Sequence, residues 1–163
     1  MPPEGSKFAG AAWVCRAKLL VSVEGIVRVA KGPTALGQVP VITIIDDDAS
    51  VRIATNRLVR SLGYVTHAFA SADEFLRSPQ MNATSCVIAD VHMPGMDGVE
   101  LQSHLRAQGS RLPIIFITAF PDESIRARAL AGGAVGLLTK PFDAAALIKC
   151  LDVALGKTGG IGD

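Results

Sequence analysis

The sequence predicts an α/β fold in which a five-stranded parallel sheet carries helices on both faces. Between residues 39 and 157, five short apolar runs alternate with five stretches of helical periodicity, which is a (βα)5 pattern. The apolar runs are nearly continuous, as is typical of strands buried on both faces. Right-handed crossovers leave few topologies for such a chain, and they favour the flavodoxin-like strand order 2-1-3-4-5.

The first two strand–helix units are marked by turn and capping residues. Val41–Ile45 is predicted as the first strand, and residues 49–62 as a helix, because apolar side chains recur there at helical spacing and a glycine follows. Tyr64–Phe69 is predicted as the second strand. The capping box Ser71–Glu74 then opens a short helix that Pro79 ends.

The last three units repeat this alternation. The predicted strands are Cys86–Ala89, Pro113–Thr118 and Val135–Thr139, and the predicted helices run from about 98 to 108, from Pro121 to Gly132 and from Asp143 to Gly156. Glycines follow these helices, as expected of C-terminal caps. Two acidic residues have structural roles in this interpretation: Asp48 is expected in the first turn of the first helix, and Asp97 in the turn before the third.

The two ends of the chain do not fit the pattern. Residues 1–38 mix Pro, Gly and short apolar pieces, so we expect a poorly ordered extension and linker, or upstream sequence translated from an early start. Residues 39–157 form the predicted domain, and residues 158–163 a flexible tail. Because only seven residues follow Gly156, we expect a domain that stands alone.

Charge and cysteine content argue against several classes of partner. The net charge of +1, with no obvious basic face in the body of the chain, gives no support for direct nucleic-acid binding. No apolar run approaches the ~20 residues that span a bilayer, so no membrane is expected. The three cysteines are far apart and lack metal-ligand spacing, which fits a reducing cytoplasm.

Polar residues collect where the predicted strands end. Asp46 and Asp47 follow the first strand, Asp90 follows the third, Thr118 ends the fourth and Lys140 follows the fifth. In the predicted order the first, third and fourth strands are neighbours, so three carboxylates converge at the carboxyl edge of the sheet. Their mutual repulsion favours a hard divalent cation, and Mg²⁺ fits best. The lysine and the hydroxyl suit phosphoryl oxygens, and the available nucleophile is a carboxylate.

These residues and their neighbours resemble the receiver domain of two-component response regulators. The resemblance lies in four runs, Ile44–Asp48, Asp90–Gly98, Ile117–Ala119 and Lys140–Phe142, and covers residues 39–157. It implies phosphorelay signal transduction, in which a sensor histidine kinase or a histidine phosphotransfer protein donates a phosphoryl group with Mg²⁺. It also implies a cytoplasmic switch, not an enzyme acting on a substrate, that signals by binding an unknown downstream protein or by onward phosphotransfer. We expect a monomer or a weak homodimer.

The resemblance also assigns a role to each site residue. It implies that Asp90 is the phosphoacceptor. The implied metal ligands are Asp47, Asp90, the backbone carbonyl of His92 and, through water, Asp46. The implied phosphoryl-binding side chains are Thr118 and Lys140. Asp90, Thr118 and Lys140 together form the implied catalytic set. The Lys140–Pro141 bond is implied to be cis, and the ring of His92 is left without a role.

The output of the domain stays open. Leu137, the switch position, stands where the family usually has Tyr or Phe, so we expect a weaker conformational response to phosphorylation. One alternative is the N-terminal part of a DNA-binding response regulator whose output domain follows. The other is an aspartyl-phosphate phosphatase of the haloacid dehalogenase type. That family needs a second acid two residues after its nucleophile, where this sequence has His92.

Overall fold

A computed structural model describes residues 38–157 of the chain, and its centre is a sheet of five parallel strands. The strands are β1 (Val41–Ile45), β2 (Val65–Phe69), β3 (Cys86–Asp90), β4 (Ile114–Thr118) and β5 (Gly136–Thr139). They lie in the order β2-β1-β3-β4-β5, which confirms the predicted flavodoxin-like topology. The predicted tail at 158–163 and the predicted extension at 1–38, apart from its last residue, fall outside the described residues.

Five α-helices follow the strands, and a capping residue lies directly before each of them. They are α1 (Ala49–Ser61), α2 (Ala72–Arg77), α3 (Gly98–Ala107), α4 (Glu123–Ala131) and α5 (Ala144–Ala154). The cap side chains accept a hydrogen bond from the first turn, and they are Asp48, Ser71, Asp97, Asp122 and Asp143. Across residues 38–157, every helix is too short or too polar to span a membrane.

The predicted bounds of the elements agree with the structure to within about two residues, the usual uncertainty of a helix or strand end. One expected role differs: Asp48 lies one step earlier than the first turn, as the N-cap of α1. Asp97 precedes α3 as expected, and it completes a capping box with Glu100. A short 3₁₀ helix, Pro79–Ala83, was not predicted: Pro79 ends α2 but also starts this turn, since a first-turn residue needs no N–H partner.

Apolar side chains form a core on each face of the sheet, because successive residues of a strand point to opposite faces. The side covered by α2, α3 and α4 receives Val87, Ala89, Ile114 and Phe116, all fully buried. The side covered by α1 and α5 receives Ile42, Ile44, Ile88, Ile115 and Ile117, which are buried to the same degree. Packing on both faces holds the strand ends in place, and the site is built at those ends.

Helix α4 is attached to the domain through both apolar and polar contacts. Ala129 is its one buried residue. Its C-terminal turn is held by α3: the buried amide of Gln102 donates to the Ala129 carbonyl at 3.1 Å, and Nε of Arg106 donates to the Gly132 carbonyl at 3.0 Å. These bonds add to the capping that a helix end requires. The C-terminal end of α4 is therefore anchored by α3, whereas in its first turn Ile125 is partly buried and its neighbours are exposed.

Gly98 allows α3 to approach the end of β3 closely. A Cβ atom at this position would lie 2.5 Å from the carbonyl oxygen of Asp90 and 3.0 Å from the ring of Phe116. The Gly98 N–H also donates to the Val91 carbonyl at 2.9 Å, which ties the start of the helix to the strand end. The glycine thus helps to set the position of the Asp90 backbone.

We expect Gly98→Ala to lower the free energy of unfolding by about 1–3 kcal/mol, the usual cost of adding a methyl group to a closed contact. Urea unfolding followed by circular dichroism measures it. Ser103→Ala, on the exposed side of the same helix, is the control and should match the wild type. Equal stability of Gly98→Ala and the wild type would mean that α3 can withdraw from β3 without cost.

Candidate functional site

The site lies at the carboxyl edge of the sheet, where the register of β1, β3 and β4 brings the strand ends together. Ile45 pairs with Ala89, so Asp46 and Asp90 follow at the same level of neighbouring strands. One carboxylate oxygen from each of Asp46, Asp47 and Asp90 lies within 4.8 Å of the others. The predicted convergence of three carboxylates is therefore present in the structure.

The three carboxylates differ in their access to solvent. Asp46 is fully buried, Asp90 is 5% exposed and Asp47 is exposed. Asp46 is also held from two sides, because its Oδ1 accepts from the Asp48 N–H at 2.9 Å and its carbonyl accepts from Nη1 of Arg52 at 2.6 Å. Sequence reasoning missed Arg52, which lies one helical turn into α1 and carries no motif signal.

Lys140 is the cation that faces this cluster. Its Nζ lies 3.1 Å from Oδ2 of Asp46 and 3.5 Å from Oδ2 of Asp90. The backbone N–H of Lys140 donates to the Thr118 carbonyl at 2.7 Å, which fixes the loop after β5 against β4. The Lys140–Pro141 bond is cis, as the family resemblance implies.

The electrostatics of the site favour bound positive charge. Burial raises the pKa of Asp90, and the neighbouring Asp46 charge raises it further against the opposing effect of Lys140. Burial lowers the pKa of Lys140, but its hydrogen bond to Asp46 and the two carboxylate charges outweigh burial, so the pKa is raised. Lys140 is ion-paired with two of the three carboxylates, so an excess of negative charge remains at the cluster.

The donor set fits a hard divalent metal ion. Oδ2 of Asp46 is buried, and its polar partner within the described residues is the Lys140 ammonium at 3.1 Å. A carboxylate oxygen can accept from more than one partner, so this atom has capacity left for a ligand. Carboxylate oxygens at this spacing are the ligand type that Mg²⁺ and Ca²⁺ take.

Thr118 lies at the same edge, but its hydroxyl is turned to a neighbour that sequence reasoning left without a role. The hydroxyl oxygen accepts from the Phe120 N–H at 3.0 Å and lies 3.3 Å from Nδ1 of the His92 ring. One sequence signal could have predicted that the His92 ring lies near Thr118 and Phe120. His92 and Phe120 each follow a polar residue at a strand end by two positions, Asp90 and Thr118 respectively.

The remaining predicted positions lie on either side of the cluster. The backbone of His92 lies in the loop after β3, where its N–H is 3.4 Å from Oδ1 of Asp90. Leu137 lies on β5 opposite Phe116 and packs, partly buried, against the core on the α2–α4 side. Leu137 is therefore part of the core beside the site and not of the acidic cluster.

Fold and site together define a flavodoxin-like α/β protein whose carboxyl edge carries an acidic cluster and a lysine. The sequence matches the response regulator receiver domain over residues 42–152, and the chain belongs to this family. It is a receiver domain of two-component signal transduction.

Individual relatives agree with this assignment. Response regulator protein TodT of Pseudomonas putida is 41% identical over 115 residues, covering 71% of this chain and 51% of that protein. Transcriptional regulatory protein FixJ of Bradyrhizobium diazoefficiens is 38% identical over 114 residues, covering 70% and 56%. The solved structure of response regulator StyR matches with a TM-score of 0.68 and 38% identity, covering 73% of this chain and 60% of that one. The chain spans about half the length of the curated relatives it matches.

We expect Asp90→Asn to raise the thermal midpoint of the metal-free protein. A folded-state pKa above the ordinary value of 3.8 means that the ionised carboxylate costs stability. This cost is absent in acid, appears as the pH rises past that ordinary value, and is complete above the raised pKa. The gain from asparagine should therefore grow toward neutral pH, at about 2–8 °C for each kcal/mol recovered.

Thermal unfolding in a chelator at several pH values measures this gain. Asp97→Asn is the control, because asparagine also caps helices well and Asp97 lies outside the cluster. Coinciding midpoints for Asp90→Asn and the wild type at neutral pH would contradict the prediction.

Proposed function

We propose that this receiver domain accepts a phosphoryl group on Asp90 from a histidine kinase or a histidine phosphotransfer protein. The observation that carries the proposal is the combination of access and charge at Asp90. Its side chain is 7% exposed and 3.5 Å from the Lys140 ammonium. Asp46 also contacts Lys140 but is fully buried, and Asp47 is exposed without an ion pair to Lys140. Asp90 alone among the three is both reachable and paired with the cation.

The proposed reaction is a transfer between two side chains. A carboxylate oxygen of Asp90 attacks the phosphorus of phosphohistidine; a P–O bond forms, the P–N bond breaks, and the donor's imidazole leaves with the electron pair. The Lys140 ammonium is placed to neutralise charge on the phosphoryl oxygens. The Thr118 hydroxyl, at the end of the neighbouring strand, supplies a hydrogen-bond donor once it turns toward Asp90.

We propose Asp46, Asp47, Asp90 and the backbone carbonyl of His92 as the residues that hold Mg²⁺, with Asp46 acting through water. The spacing of the three carboxylates supports this assignment, as does the buried Oδ2 of Asp46, whose partner is the Lys140 ammonium. When bound, the ion would neutralise the negative charge that the carboxylates and an incoming phosphoryl group concentrate at this edge.

The proposed domain comprises residues 39–157. The size of its conformational response to phosphorylation depends on the side chain at the switch position, Leu137. This side chain is smaller than a tyrosine ring and has no hydroxyl, so its packing against the core changes less between two conformations. A ligand shifts an equilibrium only by its differential affinity for the two states. We therefore propose a modest conformational response, with signalling in the cytoplasm by partner binding or onward phosphotransfer, by a monomer or weak homodimer.

A second proposal rests on the length of the relatives. FixJ is named a transcriptional regulatory protein, and this chain spans 56% of it. The domain would then be the receiver part of a regulator whose output is DNA binding. The reading frame beyond the codon for Asp163 tests this: a helix-turn-helix domain in frame supports it, and an immediate stop codon contradicts it.

We expect acetyl phosphate and Mg²⁺ to add one phosphoryl group to the wild type, and none to Asp90→Asn, because the amide is not a nucleophile of this kind. Intact mass spectrometry counts the groups added. Asp97→Asn, which alters a helix cap outside the cluster, should still accept one. The same mass increase in Asp90→Asn as in the wild type would place the acceptor elsewhere.

We expect Mg²⁺ to raise the thermal midpoint of the wild type, because a ligand that binds only the folded state stabilises it by mass action, by about 2.7 kcal/mol at a concentration 100 times the dissociation constant. The rise should be much smaller for Asp47→Ala, which removes one carboxylate of the cluster. Asp48→Ala loses a helix cap but no ligand, so its midpoint should fall while its response to Mg²⁺ remains. Equal responses in Asp47→Ala and the wild type would refute the ligand set.

A further inference from the structure

The Thr118 hydroxyl is already engaged in the unphosphorylated domain. It accepts a hydrogen bond from the Phe120 N–H and lies within hydrogen-bond distance of Nδ1 of His92, at 3.0 and 3.3 Å respectively. Within residues 38–157 it makes no hydrogen bond with Asp90 or Lys140. The group that the proposed function assigns to the phosphoryl oxygens is therefore turned toward a histidine ring.

An aromatic neighbour holds the His92 ring in this position. The Phe120 ring meets it edge-on, with centroids 5.9 Å apart and planes at 77°. Phe120 is 71% exposed and His92 is also exposed, so neither ring is placed by burial in the core. They meet because β3 and β4 are parallel neighbours and each ring lies two residues beyond Asp90 or Thr118.

The hydrogen bond from Phe120 and the tautomer of His92 together decide where the hydroxyl proton points. Because the Phe120 N–H donates to the oxygen, the hydroxyl keeps its own proton to donate. Nδ1 of a neutral imidazole accepts when the ring proton is on Nε2. A hydroxyl has a single proton, so it cannot serve His92 and a phosphoryl oxygen at once.

We propose that His92 is a positioning residue that holds the Thr118 hydroxyl away from Asp90 and so opposes the phosphorylated conformation. The inference rests on the proposed function, since it presupposes a phosphoryl group on Asp90. That group must break the contact between His92 and Thr118 before it recruits the hydroxyl, which reduces its differential affinity for the two conformations. The backbone carbonyl of His92 is not involved, so side-chain substitutions leave the proposed metal ligand in place.

Beryllofluoride with Mg²⁺, a mimic of aspartyl phosphate, tests the proposal by titration followed through amide chemical shifts. His92→Phe keeps a ring beside Phe120 but removes the acceptor. It should bind beryllofluoride about two- to tenfold more tightly than the wild type, the range that corresponds to the net strength of one hydrogen bond. His92→Gln restores an acceptor and should return toward the wild-type affinity. His104→Phe, on the exposed side of α3, is the control and should leave it unchanged.

A double-mutant cycle separates the proposed contact from a general change at the surface. Thr118→Val has no hydroxyl, so adding His92→Phe to it should have no further effect on beryllofluoride affinity. A gain that persists in the Thr118→Val background overturns the proposal, as does the absence of any gain in the wild-type background. Thr118→Ala replaces Thr118→Val if the valine variant does not fold.

Nitrogen chemical shifts of the His92 ring test the contact without a phosphoryl mimic. Removing the hydroxyl in Thr118→Val should move the Nδ1 resonance, and an unchanged resonance overturns the contact whatever beryllofluoride does. In the opposite pattern, the Nδ1 resonance differs between the wild type and Thr118→Val, but the wild type binds no beryllofluoride. That result would confirm the contact, overturn the proposed phosphorylation of Asp90, and remove the proposed role of His92 in opposing it.

Discussion

The repulsion among three carboxylates at one edge of the sheet is the constraint on which the rest of this domain depends. Because β1 and β3 are parallel neighbours, Asp46, Asp47 and Asp90 reach the same edge, with one oxygen of each within 4.8 Å of the others. Such charges are costly wherever water is scarce. Lys140 offsets part of the cost, while burial and, after it, the charge of Asp46 raise the pKa of Asp90. A hard cation at this edge would relieve the remainder.

The surroundings of the cluster give the carboxylates little room to move apart. The strands that end there are packed on both faces by fully buried side chains. Gly98 brings α3 against the Asp90 backbone, and Arg52 donates to the Asp46 carbonyl at 2.6 Å. The Asp48 N–H fixes one oxygen of Asp46, which leaves the other directed at Lys140. The fold therefore preserves an unfavourable arrangement of charge that ligand binding can use.

The helices differ in how many apolar residues they bury and in the polar bonds that hold them. Helix α3 buries Val99, Leu101 and Leu105. Helix α4 buries Ala129, packs Ile125 partly buried against the core, and is tied at its C-terminal turn to Gln102 and Arg106. Its first turn follows the loop that bears Thr118 and Phe120. The loop with Thr118 and Phe120 therefore joins the site directly to the first turn of α4, in which Ile125 packs against the core.

The sequence by itself determined the fold class, the strand order and the residues that meet at the site. Continuous apolar runs identify strands buried on both faces, and parallel topology sends the ends of those strands to one edge. The sequence could not determine that Asp46 is buried while Asp47, next to it, is exposed. It also could not determine that the His92 ring contacts the Thr118 hydroxyl, 26 residues away. Only the tertiary structure decided these, because the burial and hydrogen-bond partners of a side chain depend on neighbours that are distant along the chain.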